Sequence, residues 1–213
     1  MEKTIQRFIE PTVKDLNHRY KSWEHCYNAF VNRDESTDIL ALHLGFYLAS
    51  WGMYRGSSGL LWKDYKVHYE AVEIIKKHHH LRYEFIDLPR KEDVINVFKE
   101  LSEYYSKLAY YNGKDDDKHI TATDTLISKI ILGALGCLPA FDRYFNLGLF
   151  DKEYSVINGK SIDIIWVKTN EMKSEIELVQ GWIRQQTGTL YPPMKIIDMY
   201  YWQLGFDKEE VPK

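Results

Sequence analysis

The chain is poor in cysteine, with only Cys26 and Cys137 in 213 residues. Two thiols so far apart, with no C-x-x-C pair, argue against a disulfide scaffold and favour a reducing compartment. The sequence also lacks a run of about 18 apolar residues, and its N-terminus lacks the charged-then-apolar layout of a signal peptide. We therefore expect a cytoplasmic protein with no membrane partner and with both thiols reduced in the core.

An excess of charge of one sign is also missing, because 28 Lys and Arg face 31 Asp and Glu for a net charge of -3. Such a chain has no global positive field, so it could hold nucleic acid only through a local basic patch. Aromatic residues, in contrast, are abundant, with 16 Tyr, 6 Trp and 9 Phe. They suit both a core and a pocket that stacks flat ligands, and abundance alone does not separate these uses.

Apolar residues recur at spacings of three and four in most segments, which predicts an all-α fold. Turn residues divide the chain into about seven or eight helices of a compact single domain, residues 1–213, and Pro192-Pro193 is expected to open the last helix. The segment Tyr154–Lys168 leaves two alternatives open. Asn158-Gly159 lies there between β-branched residues, so the segment is either a small β-hairpin or another helix.

The most informative segment runs from His119 to Phe145. Thr121 followed by Asp124 has the pattern of a capping box, which predicts a helix that begins there and ends at Gly136. Pro139 is then expected to start a second helix with Asp142 in its first turn. The pattern thus predicts a helix, a tight turn and a carboxylate at the mouth of the next helix.

This step, from Ser128 to Asp142, resembles the helix-hairpin-helix DNA glycosylases and the related bacterial 8-oxoguanine-glycosylase-like proteins. The resemblance implies an all-helical glycosylase-like fold in which Asp142 is the catalytic carboxylate. The lyase-type members carry a lysine at the start of the first helix, whereas Lys129 lies about one turn later. Lys129 is therefore a second catalytic candidate, and we expect a monofunctional hydrolytic enzyme rather than a Schiff-base lyase.

The substrate that the resemblance implies is double-stranded DNA with one base flipped out of the stack. One ionised carboxylate near C1′ can stabilise the positive charge that develops on the sugar, so no cofactor and no metal is expected. The family's Gly-x-Gly phosphate turn is absent, and the hydroxyl groups of Thr121 and Thr123 or free helix N–H groups would replace it. An Asp at a helix start also stabilises the helix dipole, so a purely structural role for Asp142 stays open.

A second segment, Leu48–Trp62, offers an anion cradle beside aromatic rings. An ordinary helix-to-helix turn with aromatic packing is the alternative. Together with the two residues that follow Asp142, it supplies the predicted substrate-binding residues, namely Trp51, Tyr54, Arg55, Ser57, Ser58, Trp62, Arg143 and Tyr144.

Two runs of potential metal ligands are not expected to bind metal. Consecutive helical residues point about 100° apart, so His78-His79-His80 cannot chelate one ion together and is expected to be a solvated helix end. Asp115-Asp116-Asp117 lacks the alternation of a calcium loop and is expected to be a polar loop.

Two functions remain as hypotheses. The first is a DNA glycosylase that removes a modified or damaged base, in a role such as antiviral defence. The second is a non-catalytic helical interaction or sensor module of a bacterial defence system, which the acidic pI of about 6.2 fits better. The enzyme requires basic side chains around Asp142, with Arg55, Lys129 and Arg143 as the candidates. The sequence does not predict the oligomeric state.

Overall fold

The structure, a computed structural model, describes residues 1–55, 58–83, 88–114 and 118–210. In these residues the fold is almost entirely helical, which confirms the all-α prediction, with ten α-helices rather than seven or eight. They are α1 Glu2–Lys14, α2 Lys21–Ala29, α3 Thr37–Ser50, α4 Tyr69–Lys77, α5 Lys91–Ser106, α6 Asp124–Ala134, α7 Arg143–Phe150, α8 Gly159–Glu171, α9 Lys173–Thr187 and α10 Pro193–Glu210. Short 3₁₀ turns span Leu60–Trp62, Tyr65–His68 and His79–Leu81.

The two strands described, β1 Ala109–Tyr110 and β2 Lys118–His119, form a small antiparallel hairpin in which Ala109 pairs with His119. The segment 154–168 is not a hairpin, so the helix was the correct alternative there. The Asn158 side chain accepts hydrogen bonds from the backbone N–H groups of Lys160 and Ser161, so the Asn-Gly pair begins α8. Asn caps a helix as readily as it forms a turn, which is why the local sequence was ambiguous.

The central helix of the protein is α6. Every residue from Leu126 to Ala134 is buried, as expected for a helix that is enclosed on all sides by others. Gly133 admits the ring of Tyr47, because a Cβ at this position would lie 2.4 Å from a ring carbon. The polar residues Ser128 and Lys129 therefore lie inside the protein, where each requires a hydrogen-bonding partner.

Two glycines allow the backbones of α7 and α10 to come into direct contact. A Cβ on Gly148 would lie 1.9 Å from the carbonyl oxygen of Tyr201, and a Cβ on Gly205 would lie 1.9 Å from that of Tyr144. Only glycine allows this approach. The start of α7, where the Asp142 candidate lies, is thereby fixed to the long C-terminal helix.

The histidine run differs from expectation. His78 is buried, and its Nε2 lies 2.9 Å from an oxygen of Glu100, so the prediction of a solvated helix end is wrong for this residue. It falls on the same side of α4 as the buried Ile75, which turns it toward α5. Within residues 1–55, 58–83, 88–114 and 118–210 no group of three metal-ligating side chains is close enough to share an ion. Residues 115–117, the aspartate run, lie outside the described residues.

Two further features concern the thiols and the membrane. Cys26 and Cys137 are both buried and free of disulfide bonds, as expected. Among the described residues, no helix combines the length and apolarity needed to cross a membrane.

Candidate functional site

The site is built around the buried turn that joins α6 to α7. We predicted that a helix starts at Pro139 and carries Asp142 in its first turn, and this is wrong, because α7 begins only at Arg143. Asp142 is instead the N-cap, and its Oδ1 accepts a hydrogen bond from the Phe145 N–H at 3.1 Å. Aspartate is a strong N-cap residue, so the helix can begin directly after it. The backbone N–H groups of Ala140 and Phe141, just before it, bond to side chains instead of forming a helical turn.

Side chains from α6 and α10 satisfy that backbone. The Ala140 N–H donates to Oδ1 of Asp198 at 3.0 Å, and the Phe141 N–H donates to Oγ of Ser128 at 2.9 Å. The hydroxyl of Thr125 donates to the Phe141 carbonyl at 2.8 Å. Because buried peptide groups without partners are costly, these bonds select one conformation for the turn. They set the position of the residue that follows, Asp142.

Asp142 forms an ion pair with Lys129 across this turn. The Lys129 Nζ lies 3.0 Å from Oδ2 of Asp142, and the two side chains are 5% and 16% exposed. The ammonium also lies 5.0 Å from the ring centre of Trp51, a cation–π distance. A buried pair is weak evidence for stability, since desolvation offsets much of its attraction. Its position at the wall of a cavity makes it a candidate for chemistry instead.

That cavity is one half of a larger cleft. A cavity of about 360 Å³ is lined by Lys129, Asp142, Arg143 and Tyr144, and also by Arg55 from the loop after α3. A second cavity of about 410 Å³ shares Arg55 as a wall residue. The second cavity adds Ser58, Thr121 and Thr123. We call the two adjoining cavities the α6–α7 cleft. Predicted residues from two distant segments of the sequence thus meet in one place.

The start of α6 lines the second cavity with the threonines Thr121, Thr123 and Thr125. Its N-cap is Thr123, whose Oγ1 accepts from the Leu126 N–H at 3.2 Å, whereas we expected the helix to begin at about Thr121. The Thr123 N–H instead bonds to the Thr121 carbonyl at 2.9 Å in a turn that precedes the helix. The Asp124 carboxylate accepts from the Ile157 N–H at 2.8 Å. Its charge is thereby engaged by the loop that follows α7.

Some predicted substrate residues lie elsewhere. The Tyr54 hydroxyl lies 2.7 Å from Nε2 of His68, whose Nδ1 lies 2.6 Å from the hydroxyl of Tyr105. Burial lowers the pKa of His68 to about 3 and raises the pKa of Tyr54 to about 12, so this chain of groups is neutral. Trp51, Tyr54 and Trp62 line neither cavity of the cleft, and Trp62 is half exposed at the surface.

The predicted anion cradle is only partly described. Arg55 lines both cavities and forms no ion pair with the described residues. The Ser58 hydroxyl donates to the carbonyls of Met53 and Arg55, at 2.6 and 2.8 Å, so it closes the turn rather than pointing a free proton into the cleft. Ser57 lies outside the described residues.

An aromatic cluster backs the ion pair. The Trp51 ring stacks on Tyr20 with centroids 4.9 Å apart and planes 17° apart, and the Arg19 guanidinium lies over both rings. Burial raises the pKa of Tyr20, the Arg19 charge lowers it, and the Asp142 charge adds a smaller upward contribution. Tyr20 therefore lies within electrostatic reach of the candidate carboxylate. Sequence reasoning did not select it, because it lies far from Asp142 along the chain.

Sequence reasoning also missed the loop after α7. Tyr154 is 66% exposed and lines both cavities, and Glu153 lies at the rim of the first. The guanidinium of Arg143 pairs with Glu153 at 3.2 Å and also with Glu209, so its charge is largely compensated. The signal available in the sequence was a tyrosine in a polar turn shortly after Asp142.

Comparison of the chain with protein-family models, with curated proteins and with solved structures finds no significant match.

Proposed function

We propose that this protein is a DNA-glycosylase-like hydrolase that cleaves the N-glycosidic bond of a flipped, modified or damaged base. One observation carries the proposal. Asp142, paired with Lys129, lies on one wall of a cleft whose other walls present Arg55 and the Thr121 and Thr123 hydroxyls. The cleft thereby combines a carboxylate suited to a sugar cation with groups suited to a phosphate.

The chemistry follows from charge. As the bond between C1′ and the base nitrogen breaks, both electrons leave with the base and positive charge develops on the sugar. The Asp142 carboxylate stabilises that charge, and a water adds to C1′ and loses a proton to give the hydroxyl of an abasic site. The departing base gains a proton from solvent. Lys129 compensates the carboxylate in its buried position and keeps it at the wall of the cleft.

One basic side chain, Arg55, favours the enzyme over a non-catalytic interaction module. Arg55, Lys129 and Arg143 line the same cavity, but Lys129 is paired with Asp142 and Arg143 with Glu153 and Glu209, so only the charge of Arg55 has no acidic partner among the described residues. A scattered distribution would have favoured the module. The first turn of α6 borders the second cavity, and helix starts bind phosphate oxygens in many proteins.

The test is incubation of the purified protein with duplexes that carry different modified bases, including the bulky modifications found in phage DNA, followed by alkali to reveal abasic sites. We expect cleavage of at least one duplex by the wild type and none by Asp142→Asn. Asp163→Asn is the control for loss of a lysine-paired carboxylate outside the cleft, because Asp163 is paired with Lys91 at 2.7 Å and lines neither cavity. The assay is run at a temperature where the circular dichroism of Asp142→Asn equals that of the wild type, because the loss of this buried charge also destabilises the protein.

Cleavage retained by Asp142→Asn would refute the catalytic role of this carboxylate. If the complete panel remains uncleaved, the enzymatic proposal is wrong and the helical interaction module is the function to pursue.

A further inference from the structure

A second surface of the protein lies between α1 and the outer face of α9. A groove of about 850 Å³ runs along one side of Trp182, and a smaller groove of about 280 Å³ lies on its other side. Leu178, one helical turn before Trp182, is 76% exposed. None of the residues that line these grooves lines the α6–α7 cleft. Any role of this surface is therefore separate from the proposed chemistry.

Gly181 lies on this outer face, between Leu178 and Trp182. A Cβ placed on it would have no neighbour within 4 Å among the described residues. The other glycines inside described helices all meet a neighbour within that distance, and they are Gly45, Gly133, Gly148, Gly159 and Gly205. Glycine weakens a helix interior, and no contact in the described part of the chain requires it at position 181. A second backbone that comes close at this point would require it.

The charges of the two grooves are complementary. The larger groove is lined by three basic residues, Lys3, Arg7 and Lys14, and by one acidic residue, Glu10, whereas the described lining of the smaller groove has Glu2 and Glu175 and no basic side chain. In the larger groove Arg7 is paired with Asp207 and Lys14 with Glu10. In the smaller groove Glu175 is paired with the N-terminal ammonium of Met1 at 3.1 Å. Lys3 and Glu2 form no ion pair with the described residues, so the larger groove offers one uncompensated positive charge to a partner and the smaller groove one uncompensated negative charge.

We infer that this surface binds a second copy of the chain, with α9 of one copy crossing α9 of the other at Gly181. A symmetric dimer requires a surface that is complementary to itself. A twofold axis near Gly181, perpendicular to the line that joins the grooves, places the basic groove of one copy on the acidic groove of the other. Leu178 and Trp182 then form the apolar centre, and the missing Cβ lets the two helices approach.

The first test is the mass in solution, measured by sedimentation equilibrium over concentrations up to about 100 μM. The wild type is expected at twice the chain mass of 25.3 kDa. Leu178→Glu and Gly181→Arg are expected at the mass of one chain. Val167→Glu is the control, because Val167 is 54% exposed on α8 and lies away from both grooves, and it is expected to remain a dimer.

The variant Gly181→Ala tests whether the glycine is needed for the helix crossing or is only tolerated in the helix. Alanine favours the helix, so the variant should melt at a higher temperature than the wild type at dilutions where both are monomeric. Its Cβ should nevertheless weaken the dimer by about tenfold or more. A rise in melting temperature with unchanged dimerisation would overturn the crossing at Gly181.

A charge exchange tests the pairing of the grooves. Lys3→Glu with Lys14→Glu makes both grooves acidic, and Glu2→Lys with Glu175→Lys makes both basic. Each double variant alone should be monomeric, and an equimolar mixture should form a heterodimer that native mass spectrometry detects. A monomeric wild type, or double variants that dimerise as well alone as when mixed, would overturn the inference. Neither result bears on base excision by the separate cleft.

Discussion

Replacement of Lys129 by glutamine should destabilise the protein strongly, because it leaves the Asp142 carboxylate without its cation in a largely buried position. Removal of one partner from a buried pair costs about 3 to 5 kcal/mol. The Asp142 side chain keeps 16% of its surface exposed at the cleft, so we expect about 3 kcal/mol, at the lower end of that range. For a domain of this size, that loss lowers Tm by about 6 to 12 °C.

The reciprocal change Asp142→Asn should cost a similar amount for a separate reason. Asparagine caps a helix about as well as aspartate, so α7 keeps its N-cap and only the charge is removed. The ammonium of Lys129 is then the unpaired group. In the double variant Lys129→Gln, Asp142→Asn both charges are absent, and a neutral hydrogen bond can form between the two side chains. Its stability should lie within about 1 kcal/mol of the wild type.

Urea unfolding followed by far-ultraviolet circular dichroism gives the free energy of unfolding of each variant. The expected coupling between the two positions is several kcal/mol, much more than the roughly 0.5 kcal/mol typical of independent sites. Lys91→Gln, which breaks the exposed pair with Asp163, is the control and should cost less than about 1 kcal/mol. If the losses in unfolding free energy at Lys129 and Asp142 are additive, or are as small as that of the control, the two residues do not form a desolvated ion pair.

Three further predictions concern other parts of the molecule. Gly148→Ala should cost about 3 kcal/mol or more in thermal unfolding, because its Cβ would lie 1.9 Å from the Tyr201 carbonyl oxygen; an unchanged Tm would contradict the backbone contact of α7 with α10. The folded pKa of His68, about 3 against an ordinary 6.5, means that the unfolded chain binds more protons between these values. The contribution of His68 to the free energy of unfolding should therefore be complete above pH 6.5 and fall by up to about 5 kcal/mol toward pH 3. If His68→Gln loses stability equally steeply over this pH range, the assignment to His68 is wrong. Arg55→Ala should weaken binding of all DNA sequences and lower the salt slope by about 1 in fluorescence anisotropy, whereas an unchanged slope would remove Arg55 from the phosphate contacts.

The helices were predictable because their signals are local. Val94, Val97, Leu101 and Tyr105 of α5 have the three-and-four spacing of a buried stripe, and all four are buried. Pro193 opens the last helix as its fixed φ predicts. The Asn158-Gly159 pair was ambiguous, since the choice between a hairpin and a helix start depended on the burial of apolar side chains further along α8.

The candidate site was predictable only in part, because only some of its contacts are between residues close together in the sequence. Asp142 and its neighbours are adjacent in sequence, so any motif that selects one selects the others. The contact between the Ala140 N–H and Asp198 spans 58 positions, and no local pattern indicates it. The meeting of Arg55 with the start of α6 likewise depends on how α3 and α6 pack. The mistaken helix start at Pro139 arose because side chains of α6 and α10 bind the turn there.

The products of the reaction test the catalytic role of Asp142 most directly. Mass spectrometry of the small molecules and of the DNA strand, after incubation of the protein with a susceptible duplex, follows the free base and the abasic site together. With the wild type, both should appear in equal amounts and the strand should stay intact until alkali is added, whereas Asp142→Asn should yield neither. Base release by Asp142→Asn at the wild-type rate, or no release by the wild type from any modified duplex, would contradict that role.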